Sequence, residues 1–283
     1  MRRVRSLASW LGVLPFFGYL LIFLLIPTVV VAVGAFRNDT SFTMSNIRAL
    51  GDSAVLEALW KSVELSAASA IIGALLGALL AAVIVAGPQT SLLRRVVTSL
   101  AGALAQTGGV ALAFAWMATV GLSGTVTTLM QNAFGWNMGN SLWLFELPGL
   151  TLVYCYFQIP LMVIVFLPAL DGLRPQWREA AETLGATRWQ YLTQVAVPLL
   201  RPAFLGSLLL LFANAFAAYA TAAALISQGQ TILPLMIRAA LTSEVVLGQA
   251  HLAYAIALEM IVVVAIVMTG YALIVRRSSR WMR

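Results

Sequence analysis

Charged side chains, cysteine, histidine and lysine are all scarce in this chain. Only 10% of its 283 residues are charged. Cys155 is the single cysteine, which excludes an internal disulfide and a cysteine-based metal site. His251 is the single histidine, and no carboxylates cluster around it in sequence to complete a metal site. Lys61 is the single lysine. A phosphate-cradling loop needs Gly-x4-Gly-Lys-Ser/Thr. Lys61 is followed by Ser62 but preceded by Leu59-Trp60, without the glycines, so the chain is no P-loop ATPase.

Apolar residues fill the space left. They make up 61% of the chain, and the mean hydropathy is +0.93. No soluble domain of this length hides that much apolar surface, which predicts a polytopic membrane protein. A span needs about 20 apolar residues to cross a hydrocarbon core of about 30 Å. Six runs qualify, at residues 11–36, 63–86, 97–120, 148–170, 203–225 and 252–275. The first follows Met1-Arg2-Arg3-Val4-Arg5, as a signal peptide would, but it is too long for a secretory apolar region and reads as a retained span. The expected fold is all-α with six transmembrane helices, residues 1–283 forming one domain.

The formal charge of +7 does not point to nucleic acid, because its placement follows membrane topology. With a cytoplasmic N-terminus, the inner segments hold Arg2, Arg3, Arg5, Arg94, Arg95, Arg174, Arg178, Arg188, Arg201, Arg276, Arg277, Arg280 and Arg283. Only Arg37, Arg48, Lys61 and Arg238 fall outside. Both termini are therefore expected in the cytoplasm, with anionic lipid in contact with the basic segments. Trp10, Trp116, Trp143 and Trp281 suit the membrane interfaces.

This orientation puts the polar island Arg178–Pro198 inside the cell, between spans four and five. Pro175 suits a first helical turn. Glu179 and Glu182 complement the helix dipole. Gly185 can take positive φ and end the helix. Thr187 with Gln190 forms a capping box for a second short helix, which Pro198 is expected to end.

Glu179-Ala180-Ala181, three residues, Gly185, nine residues and then Val195-x-Val197-Pro198 resembles the EAA loop of binding-protein-dependent ABC importer permeases. Two valines stand where isoleucine and leucine are more usual. The resemblance implies a type I importer fold, with residues 171–202 as a cytoplasmic loop whose coupling helices dock a separate ATPase. It assigns polar contact to Glu179, the bend to Gly185 and packing to Ala180, Ala181, Leu184 and Ala186, with Glu182 beside them. It implies two ATPase subunits that bind the ATP and magnesium, a second permease that is a paralogue, and an extracytoplasmic solute-binding protein. This chain itself would carry no cofactor and no catalytic residue, and would reside in the inner membrane of a prokaryote. The segments at 37–62, 121–147 and 226–251 would face the receptor. Gly108-Gly109-Val110-Ala111-Leu112-Ala113-Phe114 and Tyr156-Phe157-Gln158-Ile159-Pro160-Leu161 look most like the spermidine/putrescine-type subgroup, which implies a polyamine, opine or aminophosphonate-like solute.

Polar groups inside a bilayer are costly and mark pathways. The candidates are Gln106, Gln158, Asn214, Tyr219 and Glu259, with Glu64 and Thr107 also considered. Gly108-Gly109 and Pro160 read either as close packing and a kink or as gate hinges. Two rival readings remain. Gly121-Leu122-Ser123-Gly124 with His251 matches a rhomboid-type intramembrane serine protease, although both residues lie at the outer ends of spans. A secondary transporter would leave the docking loop unexplained.

Overall fold

The structure, a computed structural model, describes residues 13–38, 41–88, 91–135, 143–226, 232–242 and 249–279. Trp10, Trp281 and the terminal arginines lie outside the described residues. The described residues are almost wholly helical and contain no strand. In chain order the helices are α1 (Val13–Ala35), α2 (Ser45–Ala49), α3 (Ser53–Ala86), α4 (Leu92–Gln106), α5 (Val110–Val120) and α6 (Thr125–Phe134). They continue with α7 (Leu147–Asp171), α8 (Pro175–Thr183), α9 (Arg188–Ala217), α10 (Ala220–Leu225), α11 (Leu233–Thr242) and α12 (Gln249–Ser279). Among the described residues, six helical stretches are long and apolar enough to cross a membrane: α1, α3, α5 with α6, α7, α9 and the Ala250–Leu273 part of α12.

Packing divides the chain into two units. One comprises Met1–Glu57 and Met236–Val263. There, Gly34 of α1 lets the Tyr254 ring of α12 approach its backbone; an added Cβ would sit 2.6 Å from that ring. The Asn46 amide donates to the carbonyls of Ala35 (3.3 Å) and Arg37 (2.9 Å), fixing the turn after α1.

The other unit comprises Ala58–Leu235 and Val264–Arg283. Its centre is α7. This helix is apolar on every side, and a helix without a polar face belongs inside. Leu150, Val153, Tyr154, Met162 and Val163 are fully buried. Gly73 and Gly77 of α3, spaced as Gly-x-x-x-Gly, meet it closely. An added Cβ on Gly73 would lie 2.7 Å from the Gln158 Cβ, and one on Gly77 2.5 Å from the Met162 Cβ. Small residues at this spacing let helix backbones touch where no water drives association. Arg94 at the start of α4 pairs with Asp171 at the end of α7.

Two prolines sit inside continuous helices by the same device. Each follows a wide π turn, Leu21–Leu25 before Pro27 and Leu192–Ala196 before Pro198. Ile26 N–H reaches back to the Leu21 carbonyl, and Val197 N–H to Leu192, both five residues earlier. A proline ring clashes with the carbonyl four residues before it, and the wider turn relieves that crowding. Pro198 therefore does not end the second docking helix as expected. The helix runs from Arg188 through the π turn into the fifth span.

The third and fifth spans also differ from expectation. Residues 97–120 are not one helix; α4 stops at Gln106 and α5 begins at Val110. The run 203–225 is interrupted at Ala218-Tyr219, between α9 and α10.

Candidate functional site: a capped helix turn and a cavity at two helix breaks

The turn expected to dock an ATPase forms from local sequence alone. α8 opens on Pro175 and closes at Leu184. Gly185 takes φ +79°, a left-handed conformation that glycine adopts without strain. Its N–H donates to the Glu182 carbonyl (3.0 Å), and Ala186 N–H donates to Ala181 (2.9 Å). This paired closure satisfies carbonyls that a helix end leaves open. Thr187 Oγ1 then accepts from Gln190 N–H (3.3 Å), while the Gln190 side chain accepts from Thr187 N–H (2.7 Å). The capping box is complete.

Of the seven residues assigned to docking, Ala181 and Ala186 are half-buried and the rest are exposed. Leu184 is 87% exposed, and Trp189, just beyond, is 73% exposed. Arg178 donates to Glu182 at 2.8 Å, one turn along α8. That hydrogen bond and charge raise the guanidinium pKa above its ordinary value. Glu179 makes no ion pair among the described residues and is solvent-facing.

The second feature is a cavity of about 290 Å³ where the two helix breaks meet. Gln106, Gly108 and Gly109 line it from the first break. Asn214, Ala218, Tyr219 and Thr221 line it from the second, and Phe157 of α7 completes the wall. A break inside an apolar span frees backbone groups that lipid cannot satisfy. Each break is met from another helix. Gly109, at φ +82°, donates its N–H to Thr221 Oγ1 at 2.8 Å. The Tyr154 hydroxyl donates to the Ala218 carbonyl at 2.8 Å. Neither break would persist in an isolated helix, and the pair holds as one unit.

Gln158 is fully buried and lines no part of this cavity. Its amide donates to the Leu211 carbonyl at 2.7 Å and accepts from the Asn214 amide at 3.3 Å. A carbonyl can only accept, so Gln158 must turn its NH2 toward Leu211. Its oxygen then faces Asn214, which must offer N–H in return. Gln158 thus positions Asn214, the exposed member of the pair.

Of the other pathway candidates, Gln106 is exposed and Tyr219 half-buried on the cavity wall. Thr107 caps α4 by donating to the Leu104 carbonyl at 2.8 Å. Glu64 is exposed on α3. Glu259 belongs to the other packing unit and is half-buried, with Oε2 lacking a hydrogen-bond partner among the described residues. Sequence reasoning misses Thr221 and Tyr154. A lone threonine or tyrosine in an apolar run gives no signal until the helix break opposite it is known.

Residues 126–280 match the family of binding-protein-dependent transport system inner membrane components. The chain belongs to that family. The match contains the docking turn and the α7–α9–α10 side of the cavity. Among the relatives, the sulfate transport system permease protein CysT of Escherichia coli (strain K12) is 42% identical over 64 residues. That stretch covers 23% of either chain. The ferric transport system permease protein FbpB of Actinobacillus pleuropneumoniae is 25% identical over 196 residues, 69% of this chain and 28% of that one. The matched stretches therefore span about a quarter of those relatives' own lengths. Among solved structures, the chain resembles a bacterial ABC transporter involved in import of the acidic polysaccharide alginate. The TM-score is 0.77 at 20% identity, over 96% of both chains. The MetNI methionine ABC transporter follows with TM-score 0.59 at 14% identity, over 79% of this chain and 95% of that one. At these identities the likeness is one of fold.

Family membership leaves the protease reading without support. Gly121 and Gly124 serve the α5–α6 turn, where an added Cβ would meet backbone at 2.3 and 2.5 Å. Ser123 is an exposed turn residue between them. The polyamine expectation likewise gains no support, since these relatives carry sulfate and ferric names.

Proposed function

We propose that this chain is the membrane permease subunit of an ATP-driven importer that receives a small polar solute from a binding protein. The carrying observation is the docking turn. It is a helix–turn–helix, capped at its turn, that shows Glu179, Leu184 and Trp189 to solvent, and its second helix runs without interruption into the fifth span. A rigid, exposed lever on a membrane helix suits transmission of motion from a separate ATPase.

In this reading residues 1–283 form one permease domain with 171–202 as its docking element. Both termini are cytoplasmic, and the chain sits in the inner membrane of a prokaryote. Two ATPase subunits bind ATP and magnesium, and a paralogous permease completes the pathway. Glu179 contacts the ATPase; Ala180, Ala181, Glu182, Leu184 and Ala186 pack around it; Gly185 sets the bend. Closure of the ATPase pair moves the docking helices, and coupling arises because the turn contacts two ATPase states differently. Gln106, Asn214 and Tyr219 contact solute, and Gln158 orients Asn214. The spermidine/putrescine-type resemblance marks lineage. A polycation would call for carboxylates, and the lining residues include none. A solute read by amide and hydroxyl groups fits better.

The test is Glu179→Arg in a stably inserted chain. Uptake is expected to vanish while membrane insertion stays normal, and wild-type uptake would refute the assignment.

A further inference from the structure

A second cavity of about 540 Å³ lies at the end of the bundle that carries the docking element. Its walls expose only carbon. Phe166 and Leu170 of α7 form one side, Ala82 of α3 another, and Leu192, Ala196 and Phe204 of α9 the third. The Phe166 and Phe204 rings meet edge to face at 5.9 Å. Arg201 also lines the groove. Because no polar atom is exposed into it, Arg201 contributes its methylene stem. The residue is exposed, and its guanidinium has no acidic partner among the described residues. An arginine that lays its stem on apolar surface holds its charge at the polar boundary.

We propose that this groove seats one acyl chain of an anionic phospholipid, with the lipid phosphate on the Arg201 guanidinium. Three observations converge on that occupant. The walls belong to spanning helices, so the medium that meets them is lipid. The slot is lined by carbon throughout, and its volume of about 540 Å³ admits hydrocarbon. A cation without an acidic partner among the described residues sits at its edge, and basic positions between transmembrane helices recognise anionic head groups. The location adds a consequence. The π turn Leu192–Ala196, where docking helix becomes span, supplies part of the wall. A lipid seated here therefore packs against the joint through which ATPase motion reaches the fifth span.

The test uses the chain purified with its native partners. Complexes are exchanged into nanodiscs of phosphatidylethanolamine and phosphatidylglycerol at about 3:1, or of phosphatidylethanolamine with phosphatidylcholine, then released and weighed by native mass spectrometry. The wild type should retain phosphatidylglycerol at this site. Arg201→Gln should retain about fivefold less, with zwitterionic lipid unaffected. Ala82→Phe, which fills the slot from an exposed position, should also lose phosphatidylglycerol while keeping the wild-type melting temperature. Equal retention in both variants would overturn the proposal. Loss in Arg201→Gln but not in Ala82→Phe would also overturn it, by showing a head-group patch without a seated chain. Retention that disappears whenever the ATPase is bound would assign the groove to a protein side chain instead.

Discussion

Gly185 allows the sharpest calculation. At φ +79° it holds the left-handed residue of the docking turn. Nothing lies within 4 Å of an added Cβ, so a substitution meets no steric clash and its cost is backbone strain alone. For an ordinary L-residue that strain is about 1–2 kcal/mol, and less for asparagine, which tolerates this region. The turn is exposed and packs on no core, so strain there opens the turn locally and leaves the helical bundle intact. If only the closed turn docks, apparent ATPase affinity falls by the fraction of chains that keep it closed. A penalty of 1–2 kcal/mol lowers the closed-to-open ratio by about 5- to 30-fold, which sets the upper limit of the affinity loss. Titration of the purified partner ATPase against the solubilised permease should rank the wild type tightest, then Gly185→Asn, Gly185→Ala and Gly185→Val, at one shared melting temperature. Wild-type affinity in Gly185→Val, or Gly185→Asn behaving no better than Gly185→Val, would refute the reasoning.

Other consequences follow from single contacts. Thr187→Ala removes the side-chain cap, worth about 1 kcal/mol. Amide exchange at Gln190 should accelerate about fivefold, and unchanged exchange would contradict the cap. Gln158→Leu breaks one buried and one part-buried hydrogen bond and should cost about 1–3 kcal/mol. A double-mutant cycle with Asn214→Ala should show strong coupling, whereas additive effects would contradict the positioning role. Gly77→Ala should destabilise by about 1–3 kcal/mol, since its Cβ meets the Met162 side chain and the Ile159 carbonyl. Gly102→Ala on α4 is the control: open space surrounds its Cβ, and thermal stability should hold or rise.

The docking turn is legible in sequence because each of its parts is local. Gly185 announces the left-handed residue, and Thr187 with Gln190 announces the cap, at spacings that need no tertiary partner. The break at Gly108-Gly109 is half legible, as glycine loosens a helix without saying where the freed groups go. Its mate at Ala218-Tyr219 is hidden. Alanine-rich sequence favours helix, and it is the Tyr154 hydroxyl on another helix that stabilises the open carbonyl. Pro198 misleads for a related reason. The π turn absorbs it, and Leu192–Ala196 carries no marker of π geometry. Gln158 reads as a pathway residue from its polarity. Its burial against Gly73 makes it a link between helices that reaches the cavity through Asn214.

The central claim is that a separate ATPase docks on this turn. A mild-detergent pull-down of the tagged chain from native membranes, wild type beside Glu179→Arg, tests it directly by mass spectrometry of the partners. The account predicts an ATPase and a second permease with the wild type, and loss of the ATPase alone with the variant. Absence of any ATPase from the wild type even after cross-linking, or equal recovery with Glu179→Arg, would contradict it.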